Sequence, residues 1–373
     1  MSITIKEVES KKEMKQFVKF FTKLYYDNKF VAFPLHFDEM KTLGEDNPAL
    51  RFCQLKCWLA FKEGEIVGRI AAIINSKEQK ATQINIGRFG LFDFIDDKSV
   101  SSALMKKATE WLKENGVATV HGPMGFTDMD RQGLLIEGYE CPGTMATNYN
   151  FNYYQTHIEA LAFKKSTDWI EFFLHTDDKS LQRIKKLSER CKKINNIKSI
   201  EFKSRKEVKK RAYEIFQLVN RSYSELYGFI ELDDAQIEYY TEAYLSFVNL
   251  KMISVVVDQD DRIIGMGVSM PSFTKALQKA KGKLFPYGAI AMLQALRKND
   301  LCDLYLIAID KEYQGKGVNA IIMNDISNGA KELGINKAET NIELEDNTKV
   351  HQMWKFFKGE QHKRRRCYIK NLS

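Results

Sequence analysis

The sequence predicts an α/β chain in which one structural unit is used twice. Three observations carry this prediction. The order strand, helix, hairpin, strand, helix, strand, helix, strand runs through the first half and occurs again in the second, and such recurrence marks duplicated architecture, here with a period of about 180 residues. The hairpins of the two halves share a local signature, Ile66-Val67-Gly68 in one and Ile263-Ile264-Gly265 in the other. The length of 373 residues, with 44% hydrophobic and 12% aromatic content, supplies enough apolar side chains for two cores at the usual size of about 100–200 residues per domain. The expected domains are 1–176 and 177–373, joined near a charged helix from Asp178 to Ile194.

In the first half, Ile3 to Val8 alternates as a strand. Lys11 to Tyr25 places Met14, Phe17, Val18, Phe21 and Leu24 on one helical face. Residues 28–50 are irregular and aromatic, with Pro34 and Pro48 as breakers. Trp58 to Phe61, a polar turn, and Ile66 to Ile74 read as a hairpin. A strand (Gly87 to Ile95), a helix (Ser99 to Glu114, closed by Gly116) and a strand (Ala118 to Gly122) follow, then a helix from Tyr153 to Leu161 and a strand from Trp169 to Leu174. The second half repeats the order. Ser199 to Lys203 is a strand, Lys206 to Ser222 and Asp234 to Phe247 are helices, and Met252–Val257 with Arg262–Met270 form the hairpin. Leu304 to Ile309 is a continuous apolar run, short enough for a buried strand. Val318, Ile322, Ile326, Ala330 and Leu333 then recur at helical spacing, with Gly334 as the cap. Lys337 to Glu345 reads as a strand, Thr348 to Phe357 as a helix, and Gln361 to Lys370 as the last strand.

Composition excludes several classes. There is no apolar run of about 18 residues, so no spanning helix and no membrane partner are expected. The N-terminal Met-Ser-Ile-Thr-Ile-Lys-Glu-Val lacks the charged and apolar pattern of a signal peptide, and a cytoplasmic location is expected. The six cysteines and six histidines show no metal-ligand spacing, so no metal is expected. The net charge of +8 lies largely in lysine and arginine runs such as Lys363-Arg364-Arg365-Arg366. No nucleic-acid motif accompanies those runs, so an anionic small ligand is expected rather than nucleic acid.

The most informative stretch is the one after the buried strand, Tyr313-Gln314-Gly315-Lys316-Gly317-Val318-Asn319-Ala320. A helix that opens on glycines presents unpaired amides and the positive end of its dipole, a geometry suited to phosphate. Backbone N–H groups from Gly315, Lys316, Gly317, Val318, Asn319 and Ala320 would hold a diphosphate. The spacing is neither the Walker pattern nor the dinucleotide G-x-G-x-x-G. It resembles the acyl-CoA loop of the GNAT superfamily, [Q/R]-x-x-G-x-[G/A], matched by Gln314 and Gly317 and departing at Asn319. The element order of each half is similar to that family too. The resemblance implies an α/β (α+β) chain of two tandem GNAT-like domains, each a mixed, mostly antiparallel sheet flanked by helices. It also implies acetyl-CoA (or another acyl-CoA) as co-substrate and N-acetyl or short-acyl transfer to an amine of a small molecule or peptide. Ile307 and Ile309 would pair through their backbone with the pantetheine arm, and Asn347 would open the helix after the fifth strand.

The corresponding loop of the first half, Phe94-Ile95-Asp96-Asp97-Lys98-Ser99, has no glycine and two carboxylates. Those charges would repel a diphosphate by about 1 kcal/mol per close exposed pair, so the first half is expected to be a degenerate copy. Strand alternation over Lys337 to Glu345 puts Glu339, Asn341, Glu343 and Glu345 on one side and nominates Glu343 as general base, directly or through a water. Many family members use a tyrosine in the next helix as general acid; that position, counted from Asn347, is Trp354 here, leaving Tyr313 or Tyr368 as substitutes. The glycine-rich segment Gly122 to Tyr139 offers Asp128, Asp130, Arg131 and Glu137 as candidate substrate contacts for a cationic amine. An extra segment, Pro271 to Tyr287, is longer than the tight turn the family has there, and reads as an inserted amphipathic helix or a cover for the acyl site. Two further readings stay open: a non-catalytic ligand-binding protein on the same fold, and aminoacyl transfer from a charged tRNA as in peptidoglycan-bridge enzymes.

Overall fold

A computed structural model describes residues 2–245 and 248–372. In chain order the elements are β1 (Thr4–Glu7), α1 (Lys11–Leu24), α2 (His36–Thr42), β2 (Cys53–Lys62), β3 (Glu65–Asn75), α3 (Ser76–Thr82), β4 (Ile86–Phe94), α4 (Lys98–Glu114), β5 (Thr119–Gly122), β6 (Leu134–Glu137), α5 (Tyr153–Ala160) and β7 (Lys164–His175). They continue as α6 (Asp178–Asn195), β8 (Lys198–Ile200), α7 (Arg205–Tyr223), α8 (Asp234–Leu245), β9 (Ile253–Val257), β10 (Ile263–Pro271), α9 (Thr274–Ala280), α10 (Tyr287–Arg297), β11 (Leu301–Ile309), α11 (Val318–Glu332), β12 (Lys337–Thr340), β13 (Glu343–Leu344), α12 (Thr348–Trp354) and β14 (Glu360–Asn371). Residues 246–247, the expected end of the helix from Asp234, lie outside the described residues.

The chain divides into two compact units. The first comprises Met1–Ile170, Phe273–Met292 and His362–Ser373; the second comprises Glu171–Ser272 and Leu293–Gln361. This division differs from a single cut at 176/177, because the last strand and the segment around α9 are counted with the first unit.

In the first unit the strand order is β1-β2-β3-β4-β5-β14. The pairs are antiparallel except β4 with β5, which run parallel from Ile86–Arg88 against Thr119–His121. α1 starts on a capping box, Ser10 with Glu13, and buries Phe17, Val18, Phe20 and Phe21. Trp58, Phe89, Phe94, Leu104 and Tyr154 lie in the core. In the second unit the order is β7-β12-β11-β10-β9-β8, again antiparallel except β11 with β12. One face of this sheet packs Val318, Ile321, Ile322 and Ile326 of α11; the other packs Val208, Ile215, Leu218 and Val219 of α7.

The hairpin signature shared by the halves has one physical cause. A Cβ on Gly68 would lie 2.6 Å from Leu104 Cδ1 of α4, and a Cβ on Gly265 would lie 2.5 Å from Val318 Cγ1 of α11. In each unit a glycine on the central hairpin lets a helix lie close against the sheet.

Two expected elements differ. The strand from Lys337 to Glu345 stops at Thr340, where Asn341 N–H donates to Leu304 C=O (3.0 Å), and β13 beyond it pairs with β7 instead. The extra segment from Pro271 to Tyr287 holds one helix, α9, as expected, but a second helix, α10, starts at its last residue and runs on to Arg297.

Candidate active site

The site is built on β11. β12 runs beside it only from Leu301 to Leu304, and β11 then continues alone on that edge to Ile309. The register of β11 against β10 shifts between Leu306 and Leu304, so Tyr305 is an extra, bulged residue. The bulge resets which backbone groups face outward. Leu304 C=O meets Asn341 N–H at 3.0 Å, and Tyr305 C=O takes Asn341 Nδ2–H at 3.3 Å on the same side. Alternation beyond the bulge turns Ile307 and Ile309 to the free edge. There Tyr223 O–H donates to Ile307 C=O (2.9 Å) and Ser222 O–H to Ile309 C=O (3.2 Å), both from the end of α7. The amides of Ile307 and Ile309 face the same edge, while their side chains pack against the α11 cluster.

The strand leads into a turn of 3-10 helix (Lys311–Tyr313) and then the glycine loop. Gly315 and Gly317 have φ of +77° and +81°, and Gly317 is the N-cap of α11 without any side-chain cap. The N-cap therefore supplies no side-chain acceptor to the first turn, although Ala320 N–H donates to Gly317 C=O (3.0 Å) and Lys316 N–H to Tyr313 C=O (3.2 Å). A Cβ at Gly317 would lie 2.1 Å from Cys191 Sγ of α6, so both its backbone angle and its neighbour require glycine. Asn195 at the end of α6 donates to Lys316 C=O (3.2 Å) and braces the loop. Gln314 and Lys316 are exposed, Val318 and Ala320 are buried beneath the loop, and Asn319 is partly exposed on the first turn.

Glu343 does not sit on a continuous strand face with Glu339, Asn341 and Glu345, as alternation suggested. The break at Thr340 turns it inward. Its carboxylate accepts the Trp354 indole N–H at both oxygens (3.0 and 2.9 Å) and a hydrogen bond from Thr340. His351 Nε2 lies 3.7 Å from Glu343 Oε2. The Glu343 side chain is only 14% exposed. Burial pushes its carboxyl up to about 8, against the opposing pull of the Trp354 and Thr340 hydrogen bonds. Burial also lowers the His351 imidazole below its usual range, so it is neutral at pH 7. Trp354 is thus more than a lost tyrosine: it is the donor that holds a buried carboxyl whose pKa is strongly raised. Nothing in the sequence marked that contact, since it joins a strand to the following helix through the fold.

Tyr313 is placed elsewhere. Its hydroxyl donates to Asp258 Oδ2 (3.3 Å), in the turn between β9 and β10, and burial raises its pKa, with Asp258 adding to the shift. Tyr368 belongs to the first unit, where its hydroxyl donates to Glu159 (2.9 Å). Asn347 opens α12 without a side-chain cap.

The candidate substrate residues lie in the first unit, and only two of them come together. Asp128 and Asp130 are in one loop, with Gln132 donating to Asp128 (2.9 Å) and Thr127 N–H to Asp130 (3.0 Å); burial raises both carboxyls. Arg131 donates to Met145 C=O (3.1 Å), and Glu137, on β6, pairs with Arg364 (3.3 Å). Beside that loop, Arg88, Glu78 and His121 form a buried charge cluster, with Arg88–Glu78 at 2.7 Å and His121–Glu78 at 3.2 Å.

The first unit repeats the β11 geometry and closes it. β4 and β5 part after Arg88 and His121, and β4 is bulged around Leu91 (φ +45°). Met124 N–H fills the gap by donating to Phe89 C=O (2.9 Å), Phe94 N–H donates to Tyr154 (3.0 Å), and Tyr153 donates to Phe94 C=O (2.5 Å). At the start of α4, the Asp97 carboxylate accepts Ser99 N–H (2.9 Å) and pairs with Lys62 (2.8 Å). A side chain of the protein occupies the helix end that an anion would use. Among the described residues, no group of three or more His, Cys, Asp or Glu could hold a metal ion, and no helix is long and apolar enough to cross a membrane.

Comparison with known proteins agrees with this geometry. Residues 212–357 match the model of the acetyltransferase (GNAT) family. The chain is 27% identical to the protein YghO of Escherichia coli over 97% of this chain and 94% of that one. It is 22% identical to a bacterial ceramide synthase of Caulobacter vibrioides, over 99% and 98%. Among solved structures, a tandem GNAT protein from the clavulanic acid biosynthesis pathway superposes with a TM-score of 0.58 at 11% identity, covering 100% of this chain and 99% of that one. The bulged, half-paired strand and the glycine-capped helix behind it lie within the residues that match the acetyltransferase (GNAT) family, and the chain as a whole has the tandem GNAT fold.

Proposed function

We propose that this protein is an N-acyltransferase that moves an acyl group from an acyl-CoA to an amine, with a single working site in the second unit. The observation that carries the reading is the unpaired edge of β11 leading directly into the glycine loop at the start of α11. In that arrangement the amides of Gly315, Gly317, Val318 and Asn319 hold the diphosphate, those of Lys316 and Ala320 being given to Tyr313 C=O and Gly317 C=O, and the edge of Ile307 and Ile309 aligns the pantetheine arm. Glu343 takes a proton from the acceptor amine, directly or through a water, so that the amine nitrogen attacks the thioester carbonyl and the CoA thiolate leaves. A carboxyl titrating near 8 is matched to that task close to neutral pH. N-acyl transfer is also the chemistry implied by the name of the Caulobacter relative. Acetyl or short-acyl transfer to a small-molecule or peptide amine is the simplest form of the reaction.

Native mass spectrometry and calorimetry with acetyl-CoA and a longer acyl-CoA test the assignment. One molecule bound per chain, lost in Gly317→Glu, is expected, with thiol release when a panel of amines is added. Two equivalent sites, or binding unchanged in the variant, would overturn it. Binding without thiol release for any amine would favour a ligand-binding role.

A further inference from the structure

The helix α10 is apolar on its outward side. Phe285 and Tyr287 are each 78% exposed, Ile290 52% and Leu293 58%. Tyr287, Ile290 and Leu293 recur every three residues and form one stripe that ends at the exposed Arg297. Within α10 only Gly288 is buried. The helix is not a loose tail. A Cβ on Gly288 would lie 3.0 Å from Ala280 Cβ, so α10 starts tight against the end of α9. α9 is in turn fixed within the first unit by Thr274 donating to Gly143 C=O (2.9 Å) and Gln278 donating to Lys29 C=O (2.6 Å). A fixed scaffold therefore presents large apolar side chains to solvent, an arrangement that marks an interaction surface.

The surrounding charge selects the partner. Residues 271–299 contain Lys275, Lys279, Lys281, Lys283, Arg297 and Lys298 and no aspartate or glutamate. Lys275, Lys279, Lys283 and Lys298 are exposed. Apolar and aromatic side chains on one short helix, flanked by six cations before the first acidic residue at Asp300, complement an interface whose interior is hydrocarbon and whose surface is negative. Eleven residues make a helix far too short to span a bilayer but long enough to lie in its surface. We propose that α10 and the adjoining Lys283–Pro286 turn dock this protein on an anionic lipid bilayer. This surface needs no spanning segment, whose absence was the ground for expecting no membrane partner. It stands independently of the acyl-transfer reading.

The test is sedimentation of the full chain with vesicles of phosphatidylcholine, with and without phosphatidylglycerol as a third of the lipid. Binding to the anionic vesicles is expected, weakening as salt is raised. The double variant Ile290→Glu/Leu293→Glu should bind on the order of a hundredfold more weakly, since two large apolar groups no longer enter the interface. Lys279→Glu/Lys283→Glu should lose the preference for phosphatidylglycerol. All four positions are exposed, and thermal unfolding followed by circular dichroism confirms that the variants fold. Equal binding by Ile290→Glu/Leu293→Glu and the parent overturns the proposal. So does a dimer in size-exclusion chromatography that this variant dissociates while the parent ignores vesicles, which would assign the stripe to a second copy of the chain.

Discussion

Replacing Trp354 with phenylalanine should shift the pH dependence of acyl transfer upward. The indole N–H is shared by both oxygens of Glu343, at 3.0 and 2.9 Å, and it favours the ionised form. A hydrogen bond to a charged group contributes about 1.5–3 kcal/mol, and one pH unit corresponds to about 1.4 kcal/mol. Removing the donor should therefore move the Glu343 midpoint from about 8 to a value roughly 1–2 units higher. The assay is kcat/KM against pH with a saturating amine. The parent should rise with a midpoint near 8 and reach a plateau. Trp354→Phe should reach a similar plateau only at higher pH, whereas Glu343→Gln should lie about 10²–10⁴ below the parent's plateau and lack the rise near pH 8.

The same carboxyl makes a prediction about stability. Its folded pKa lies above the unfolded value, so the folded state binds the proton more tightly. The parent is therefore favoured most below about 4.5 and loses stability as pH rises to about 8. A rise of about 3.5 units, at about 1.4 kcal/mol each, sets the full loss at roughly 5 kcal/mol. Glu343→Gln, which never ionises, should match the parent near pH 4 and exceed it increasingly up to pH 9 in urea unfolding. An unshifted midpoint in Trp354→Phe, together with a pH-independent stability difference in Glu343→Gln, would refute the reasoning that this carboxyl is buried, strained when charged and held by the indole.

Two further predictions follow from geometry. Gly317→Ala should lose about 1–2 kcal/mol from its left-handed backbone angle alone and more from Cys191; in a Cys191→Gly background only the backbone part should remain, as read by urea unfolding. Glu78→Gln should destabilise the first unit by roughly 3–5 kcal/mol at pH 7, because Arg88 is left buried without its ionic partner. Arg88 and His121 hold the Glu78 carboxyl below its usual range against the opposing effect of burial. The parent's advantage should therefore hold above about pH 4.5 and fade as pH drops below it, and thermal melts across that range would check the sign.

The parts of this molecule that were legible beforehand are those set by local rules. The apolar run of β11, the glycine loop and the helical spacing of α11 each follow from neighbouring residues, and all three form as expected. The duplicated hairpin signature was visible too, though its reason, a helix lying against Gly68 or Gly265, is a contact between distant segments. What escaped was set by the tertiary surroundings. Lys337 to Glu345 has a strand pattern throughout, but Asn341 turns to the backbone of β11 and breaks it. Trp354 could be counted as the absence of a phenol, whereas its role as donor to Glu343 depends on how α12 packs over β13. α10 was missed because its apolar stripe faces outward. Burial patterns find helices by the side that the core covers, and here the core covers almost none.

The two units differ in what their bulged strand and the following helix leave unsatisfied. Both carry a bulged strand that parts from its parallel neighbour after a few rungs. Exposed strand edges require partners, and the units supply them differently. In the first, Met124, Tyr153 and Tyr154 satisfy both kinds of backbone group along β4, and Asp97 caps the helix behind it. A pantetheine diphosphate entering there would break several hydrogen bonds, each with a net contribution of about 0.5–1.5 kcal/mol, and would meet a carboxylate. In the second, the hydroxyls of Ser222 and Tyr223 donate to the carbonyls of Ile309 and Ile307, each of which keeps a second lone pair. Gly317 brings no side-chain cap to α11, and among residues 315–320 only Lys316 N–H and Ala320 N–H are given to backbone carbonyls, of Tyr313 and Gly317. On the proposed reading, the choice of the second unit as the acyl-CoA site thus reduces to which strand edge and which helix end the chain has already satisfied by itself.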